Sequence, residues 1–281
     1  MKKLTVKIPA KINLILDVLG TDGNYHQLQS FVASINVYDT VTVKARTDEK
    51  ITLKMQGVKV DCPISKNNAY KAVKLFKKTF KCTGVDVVVN KSIPVGAGLG
   101  GSSADIAGVL KAMKGVYGIT ESVLPLANDL GSDAGYMLTG GYALMQGRGE
   151  NIIYEKIGVP LYFLLITENN SCSAKECYKE FDKQNKMYTP TAKDGINALK
   201  NGDYDGFYSA IKNDLTAAAT TFVPQITSNI EMLKKAGAKG VAMTGSGSVC
   251  FAVFDSKKER DRVYKKLKPI YNEQLLKAQT V

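Results

Sequence analysis

The feature that most constrains this chain is the stretch Pro94-Val95-Gly96-Ala97-Gly98-Leu99-Gly100-Gly101-Ser102-Ser103-Ala104-Asp105. It follows a strand-like run, Val85 to Ile93. It opens a helix in which Ile106, Val109, Leu110 and Met113 fall at i, i+3, i+4 and i+7 as one apolar stripe. Glycines admit positive φ and let a ligand approach the backbone. The first amides of a helix have no intrahelical acceptor, and the helix dipole adds partial positive charge there, so that end attracts an anion. Ser102 and Ser103 add hydroxyls suited to phosphate oxygens or to a magnesium ion. Strand, glycine bend and helix together read as a phosphate cradle. The plainer alternative is a tight turn whose glycines only permit close packing. Four glycines within six residues, followed by two serines and a clean helix, favour the cradle. No Gly-Lys-Ser/Thr ends the stretch, so it is not a P-loop. No acidic residue ends a second strand downstream, as a dinucleotide fingerprint requires.

Composition excludes several other classes. A chain of 281 residues holds one large domain or two ordinary ones, and its 44% hydrophobic and 23% charged content is that of a soluble globular protein. No run approaches the ~20 apolar residues of a membrane helix. Met1-Lys2-Lys3-Leu4 leads into a strand-like segment rather than a signal peptide, which points to the cytoplasm. Cys62, Cys82, Cys172, Cys177 and Cys250 are scattered without a Cys-x-x-Cys pair, and there is a single histidine. Reduced thiols and no metal site are expected. The net charge of +12 is carried by lysines spread along the chain, with only four arginines and no basic run interleaved with aromatics. Such a surface draws in small polyanionic substrates; nucleic acid is not an expected partner.

Residues 4–9, 12–19, 31–45, 50–60 and 85–93 read as strands. Asn67 or Asn68 is placed to cap a helix in which Ala69, Ala72, Val73 and Phe76 share a face. A short helix near 121–130 leads into Gly131-Ser132-Asp133. A β pair then joins 136–146 to 152–157. Leu161 to Thr167 reads as a buried strand, helices follow near 173–183, 193–200, 204–219 and 223–236, and a basic helix spans about 257–268. A second glycine-rich turn, Met243-Thr244-Gly245-Ser246-Gly247-Ser248, enters the strand Val249–Phe254. Strands mixed with helices outside strict βαβ alternation indicate α+β, with a division near 155–160.

Four blocks together resemble the GHMP-type small-molecule kinases. They are Ile8-Pro9-Ala10-Lys11-Ile12-Asn13-Leu14 with Asp22-Gly23-Asn24-Tyr25-His26; the cradle 97–105; Leu130-Gly131-Ser132-Asp133 with Gly140-Gly141 and Gly147-Arg148-Gly149-Glu150; and Asn213-Asp214-Leu215 with the turn 243–248. The resemblance runs from about residue 4 to 265. The first and third blocks are most similar to members acting on a cytidylyl-diphosphate sugar alcohol. Another alcohol substrate, of homoserine or mevalonate type, and a non-catalytic ligand-binding relative are the alternatives. Three positions depart from the pattern: Asn24 is inserted before Tyr25, Gly135 stands where proline is usual, and Thr216 replaces an acidic residue.

The resemblance implies a two-domain fold, with an ATP-binding domain over 1–157, a C-terminal domain over 158–281 and the active site in the cleft between them. It implies ATP and Mg²⁺ as cofactors, and a monomer or homodimer. Phosphoryl transfer needs positioning, charge neutralisation and a group to deprotonate the attacking hydroxyl. Asp133, after a Gly-Ser turn in a nearly uncharged stretch, is the candidate base; a turn or helix-cap aspartate is the other reading. Lys11 sits in an apolar segment where a surface lysine is unusual, and a lysine can keep a carboxylate ionised and polarise a hydroxyl. Asn13, two residues on, shares its strand face and can bond the sugar alcohol. Pro94, Gly96, Ala97, Gly98, Leu99, Gly100, Gly101, Ser102 and Ser103 are the candidate nucleotide cradle. The resemblance implies that Tyr25 stacks on the cytosine and that His26 bonds its edge. Tyr178 either supplies the second face of that sandwich or packs in the core. Asn67 either reads the adenine edge or only caps a helix. Gly245, Ser246 and Gly247 either meet substrate phosphates or form a β-turn.

Overall fold

Alternating and continuous runs of Val, Ile and Leu build the first 45 residues into two long strands, β1 (Lys3–Asp22) and β2 (Tyr25–Ala45). The structure, a computed structural model, describes residues 2–23, 25–184 and 189–281. β1 runs without a break through Pro9, where two strands are expected from the sequence. It pairs with β2, and a proline is tolerated where its missing N–H is not needed by a neighbour.

Two compact units divide the chain. The first comprises residues 1–10, 37–95 and 100–140. Here β3 (Ile51–Gly57) pairs in parallel with β4 (Val85–Lys91), and β4 pairs antiparallel with the end of β2, Thr40 to Ala45. Between them lies α1 (Asn68–Phe80), and α2 (Gly101–Tyr117), α3 (Leu124–Leu130) and α4 (Ala134–Met137) follow. Val85, Val87 and Val89 alternate inward from β4 and meet Val73 and Phe76 of α1 and Val109, Leu110 and Met113 of α2. The apolar faces read from sequence for both helices are the ones buried. α2 ends where Gly118 turns left-handed, φ +67°, and its N–H bonds the carbonyl of Lys114. The first part of the 136–146 segment, expected as strand, is helical instead. Its carbonyls are taken within α4, and strand begins only after Gly140 and Gly141, both at positive φ.

The second unit comprises residues 11–36, 96–99 and 141–281. Its elements are β5 (Tyr142–Gly147), β6 (Asn151–Glu155), β7 (Tyr162–Ile166), α5 (Ala174–Asp182), α6 (Ala192–Lys200), α7 (Tyr204–Ala210), α8 (Thr216–Phe222), α9 (Gln225–Lys235), β8 (Gly240–Met243), β9 (Cys250–Phe254), α10 (Lys257–Tyr271) and β10 (Leu275–Gln279). β7 to β10 form an antiparallel sheet in the order β10-β7-β9-β8. Leu164, Ile166, Ala252 and Phe254 of this sheet pack with Ile226 and Leu233 of α9 and Val263 and Leu267 of α10. Residues 204–219, expected as one helix, split into α7 and α8. The break follows from Asn213, whose Oδ1 accepts from Leu215 N at 2.9 Å while its Nδ2 donates to the carbonyls of Met243 and Gly245.

Candidate active site

The glycine bend is tied down at both feet within the first unit. Where β4 ends, Asp39 Oδ1 accepts the N–H groups of Ser92 and Ile93 at 2.7 and 2.9 Å. Lys91 Nζ donates to Asp39 Oδ2 at 2.5 Å, to Asp105 Oδ2 at 3.0 Å and to the Gly101 carbonyl at 3.0 Å. All three side chains are buried, so each charge needs its partners. Asp105 Oδ1 is buried without a hydrogen-bond partner. Burial, opposed by Lys91 and reinforced by Asp39, pushes the Asp105 carboxyl up to about 6. Gly101 packs closely here, where a Cβ would stand 3.2 Å from Lys91 Nζ and from Ile93 Cγ2.

Along the bend Gly96, Gly98 and Gly100 take φ of +67°, +77° and +75°, the region that favours glycine. α2 then begins at Gly101 with no side-chain cap, and the first intrahelical bond runs from Ala104 N to Gly100 O at 2.9 Å. The amides of Gly101, Ser102 and Ser103 therefore lack intrahelical acceptors and sit at the positive end of a 17-residue helix. Ser102 is exposed and Ser103 half-buried, so both hydroxyls are accessible. Pro94 is half-buried, and the side chains of Ala97 and Leu99 turn inward at 4% and 1% exposure.

Asp133 lies at the corner between α3 and α4, with φ −88° and ψ −8°. Its carbonyl accepts from Met137 N at 3.0 Å, but its side chain makes no capping bond to α4, so capping does not account for the carboxylate. A Cβ at Gly131 would lie 3.6 Å from Ser103 Oγ, so the corner bearing Asp133 borders the start of α2. Gly135, one of the three departures seen in the sequence, leaves room that Asn128 Oδ1 enters, 2.3 Å from where a Cβ would be. Asn67 caps α1, its Oδ1 accepting from Ala69 N at 2.9 Å, so the capping reading is realised in the structure.

In the second unit Lys11 and Asn13 share a strand face, as their spacing requires. Lys11 is 4% exposed and its Nζ donates to Asn13 Oδ1 at 2.5 Å. Asn13 Nδ2 donates to Ser30 Oγ at 2.8 Å, and Ser30 in turn donates to the Ile15 carbonyl. Asn13 thus holds Lys11 with one end of its amide and is itself held by the other. Thr244, buried, accepts from Asn13 N at 2.9 Å, and its hydroxyl reaches the Gly98 carbonyl at 3.2 Å. Thr244 belongs to the glycine-rich turn 243–248 read from the sequence, whereas Ser30 carries no motif.

The two glycine-rich segments meet at Gly98 and Gly245. A Cβ at Gly98 would stand 2.0 Å from the Thr244 carbonyl, and one at Gly245 would stand 2.9 Å from Gly98 Cα. Gly247 is at φ +92° over Met243, and Ser246 is half-buried. Thr216, the third departure, starts α8 with its hydroxyl donating to Asn213 O at 2.7 Å.

His26 and Tyr178 come together as an aromatic pair. The ring centroids are 4.6 Å apart and the planes 23° from parallel, with Phe181 edge-on at 6.2 Å. His26 Nε2 is 2.6 Å from Asp182 Oδ1, a partner with no sequence signal beyond its place on α5. Tyr178 also packs against the buried core, the second of its two sequence readings. Tyr25 is 52% exposed, and one face of its ring carries the Arg148 guanidinium at 3.6 Å. Asn24 lies outside the described residues.

No group of three or more His, Cys, Asp or Glu among the described residues is placed to hold a metal. Burial pushes the Cys177 and Cys250 thiols up to about 12, far from a nucleophilic thiolate. No described helix is long and apolar enough to cross a membrane.

Comparison with known proteins adds a second line. Residues 67–145 match the model of the GHMP kinases N terminal domain, and residues 196–273 match that of the GHMP kinases C terminal. The 4-diphosphocytidyl-2-C-methyl-D-erythritol kinase of Clostridium beijerinckii is 34% identical over 275 residues, covering 96% of this chain and 98% of its own. The enzyme of the same name from Cutibacterium acnes is 35% identical over 271 residues, covering 90% and 86%. A crystal structure of 4-(cytidine 5'-diphospho)-2C-methyl-D-erythritol kinase superposes with a TM-score of 0.81 at 25% identity, covering 98% of each chain. Homoserine kinase from Cytophaga hutchinsonii superposes at 0.79 with 17% identity, covering 100% and 95%, a likeness of fold alone.

Proposed function

We propose that this chain, which belongs to the GHMP kinase family, transfers the terminal phosphoryl group of ATP to the 2-hydroxyl of 4-diphosphocytidyl-2-C-methyl-D-erythritol, a step toward isoprenoid precursors. The observation that carries the reading is the uncapped start of α2 behind three left-handed glycines, an array of amides left for the phosphates. Relatives at 34 and 35% identity bear the name of this kinase, which favours its substrate over homoserine or mevalonate. Nucleotide binding is assigned to residues 1–157 and the second family domain to 158–281. The two family matches, 67–145 and 196–273, fall on either side of that division.

The bend from Pro94 to Ser103 binds the nucleotide, its backbone N–H groups donating to the phosphate oxygens. The space a Cβ would fill at Gly98 is already occupied by the Thr244 carbonyl, so no side chain can stand there. A magnesium ion bound with ATP would neutralise phosphate charge. The hydroxyls of Ser102 and Ser103, without a three-carboxylate cluster among the described residues, suit an ion held mainly by the phosphates.

Asp133 accepts the proton of the 2-hydroxyl as its oxygen bonds to the γ-phosphorus, and the bridging P–O bond breaks to release ADP. Lys11, fixed by Asn13, supplies positive charge to the reaction. Tyr25, His26 and Tyr178 recognise the cytosine, Gly245, Ser246 and Gly247 border the substrate diphosphate, and Asn67 reads the adenine edge with the part of its amide not used in capping.

The test is ADP production from ATP with the cytidylyl substrate, homoserine and mevalonate offered in parallel. Turnover confined to the cytidylyl substrate is the expected result, and a preference for either other alcohol rejects the reading. Tyr25→Ala separates the base site from the rest: unaffected phosphorylation of the cytidylyl substrate removes Tyr25 from recognition.

A further inference from the structure

Three side chains of α5 close around the chain's single histidine. Tyr178, Phe181 and Asp182 fall at i, i+3 and i+4 and so share one face of the helix. Tyr178 lies flat against the imidazole, Phe181 meets it edge-on, and Asp182 Oδ1 stands 2.6 Å from Nε2. The imidazole is largely enclosed, at 14% side-chain exposure, whereas Asp182 is 53% exposed. The ring plane is therefore set by stacking, and its rotation within that plane by the carboxylate.

A carboxylate only accepts hydrogen bonds, so the proton of a neutral imidazole bonded to it must sit on Nε2. Nδ1 is then left as a bare acceptor. This matters for base recognition. Cytosine presents an amino group, a donor, at the ring position where uracil presents a carbonyl, an acceptor. An Nδ1 acceptor matches the first and opposes the second.

From this geometry we infer that Asp182 is a specificity-determining positioning residue: by holding the His26 proton on Nε2, it makes the site accept an amino-bearing pyrimidine and refuse its carbonyl counterpart. The inference rests on the proposal that His26 faces the base. It goes beyond that proposal by placing the choice between two pyrimidines on a residue that does not touch either. Asp182→Asn sharpens the point. An amide can accept from an Nε2 proton or donate to a bare Nε2, so it tolerates both tautomers, and Nδ1 is free to become a donor. Asp182→Ala removes the restraint altogether.

The experiment uses the full chain carrying ¹⁵N-labelled histidine. His26 is the only histidine, so the spectrum reports one imidazole without assignment. In the unaltered protein the neutral imidazole is expected to carry its proton on Nε2 and none on Nδ1. In Asp182→Asn and Asp182→Ala the two nitrogens shift toward a tautomer mixture. Binding of CDP and UDP, measured by calorimetry on the same samples, is expected to favour CDP by about 30-fold and to fall to about threefold in both variants. A proton on Nδ1 in the unaltered protein overturns the inference. So does an undiminished CDP preference in both variants. Because the readouts are tautomer and nucleotide binding, failure of phosphoryl transfer to the cytidylyl substrate would sink the proposed reaction and leave this result standing. Binding of neither nucleotide would remove the base site and the inference with it.

Discussion

Two glycine-rich segments of this chain look alike on paper and do opposite things with their backbones. The turn from Met243 to Ser248 spends several of its backbone groups on partners within the protein. Thr244 N bonds Val249 O, Gly247 N bonds Thr244 O, and the carbonyls of Met243 and Gly245 accept from Asn213. Its glycines serve close approach, with Gly245 backed onto Gly98. The bend from Gly96 to Ser103 instead delivers three left-handed glycines to a helix start whose first amides have no intrahelical acceptor and no side-chain cap. Glycine content alone does not identify an anion site; the disposition of N–H groups does.

The contrast yields four experiments. Asp133→Asn probes the corner bordering the open helix start and carries the largest effect: turnover falls about 10³-fold while ATP binding, followed by calorimetry, persists. Near-normal turnover would remove Asp133 from the chemistry. Gly98→Ala tests the seam where the two segments touch. A methyl group at φ +77° and 2.0 Å from the Thr244 carbonyl should cost about 2–4 kcal/mol in urea unfolding. A loss under 1 kcal/mol would show that the seam yields.

Asp105→Asn addresses the anchor beneath the bend. With its carboxyl raised from 3.8 to about 6, the folded state binds more protons than the unfolded state between those values. Stability from this group therefore declines as pH rises from about 4 to about 6, and is flat above. Relative to the unaltered protein, Asp105→Asn should remove that decline, about 2–3 kcal/mol across the window. Parallel stability curves for the two proteins would show that Asp105 is not perturbed. Ser103→Ala carries the smallest effect. The KM for ATP should rise about fivefold with an unchanged melting temperature, because a half-buried hydroxyl is lost without a cavity. A fall in melting temperature at constant KM would make Ser103 structural.

Much of this architecture was legible because it is local. The stripes of α1 and α2, the Asn67 cap and the shared face of Lys11 and Asn13 all follow from periodicity and capping chemistry. What stayed hidden depends on partners distant in sequence. Lys91, Asp39 and Asp105 are each unremarkable until folding stacks them under the bend. Asp182 has meaning only once α5 meets His26, 156 positions away. Residues 136–141 read as strand because their apolar content matches one, while the backbone bonds that make them the end of α4 and the turn after it leave no compositional trace. The strands β8 and β10, short and without alternation, were missed for the same reason.

β1 and β2 each contribute to both compact units, and one consequence concerns synthesis. The first unit has all its segments once Gly140 has left the ribosome, whereas the second draws on residues 11–36 and on everything up to β10. Its amino-terminal strands must therefore wait, half committed, for a carboxy-terminal edge more than two hundred residues later. Truncation before Leu275 should thus yield a chain whose early portion resists protease while its later portion is digested.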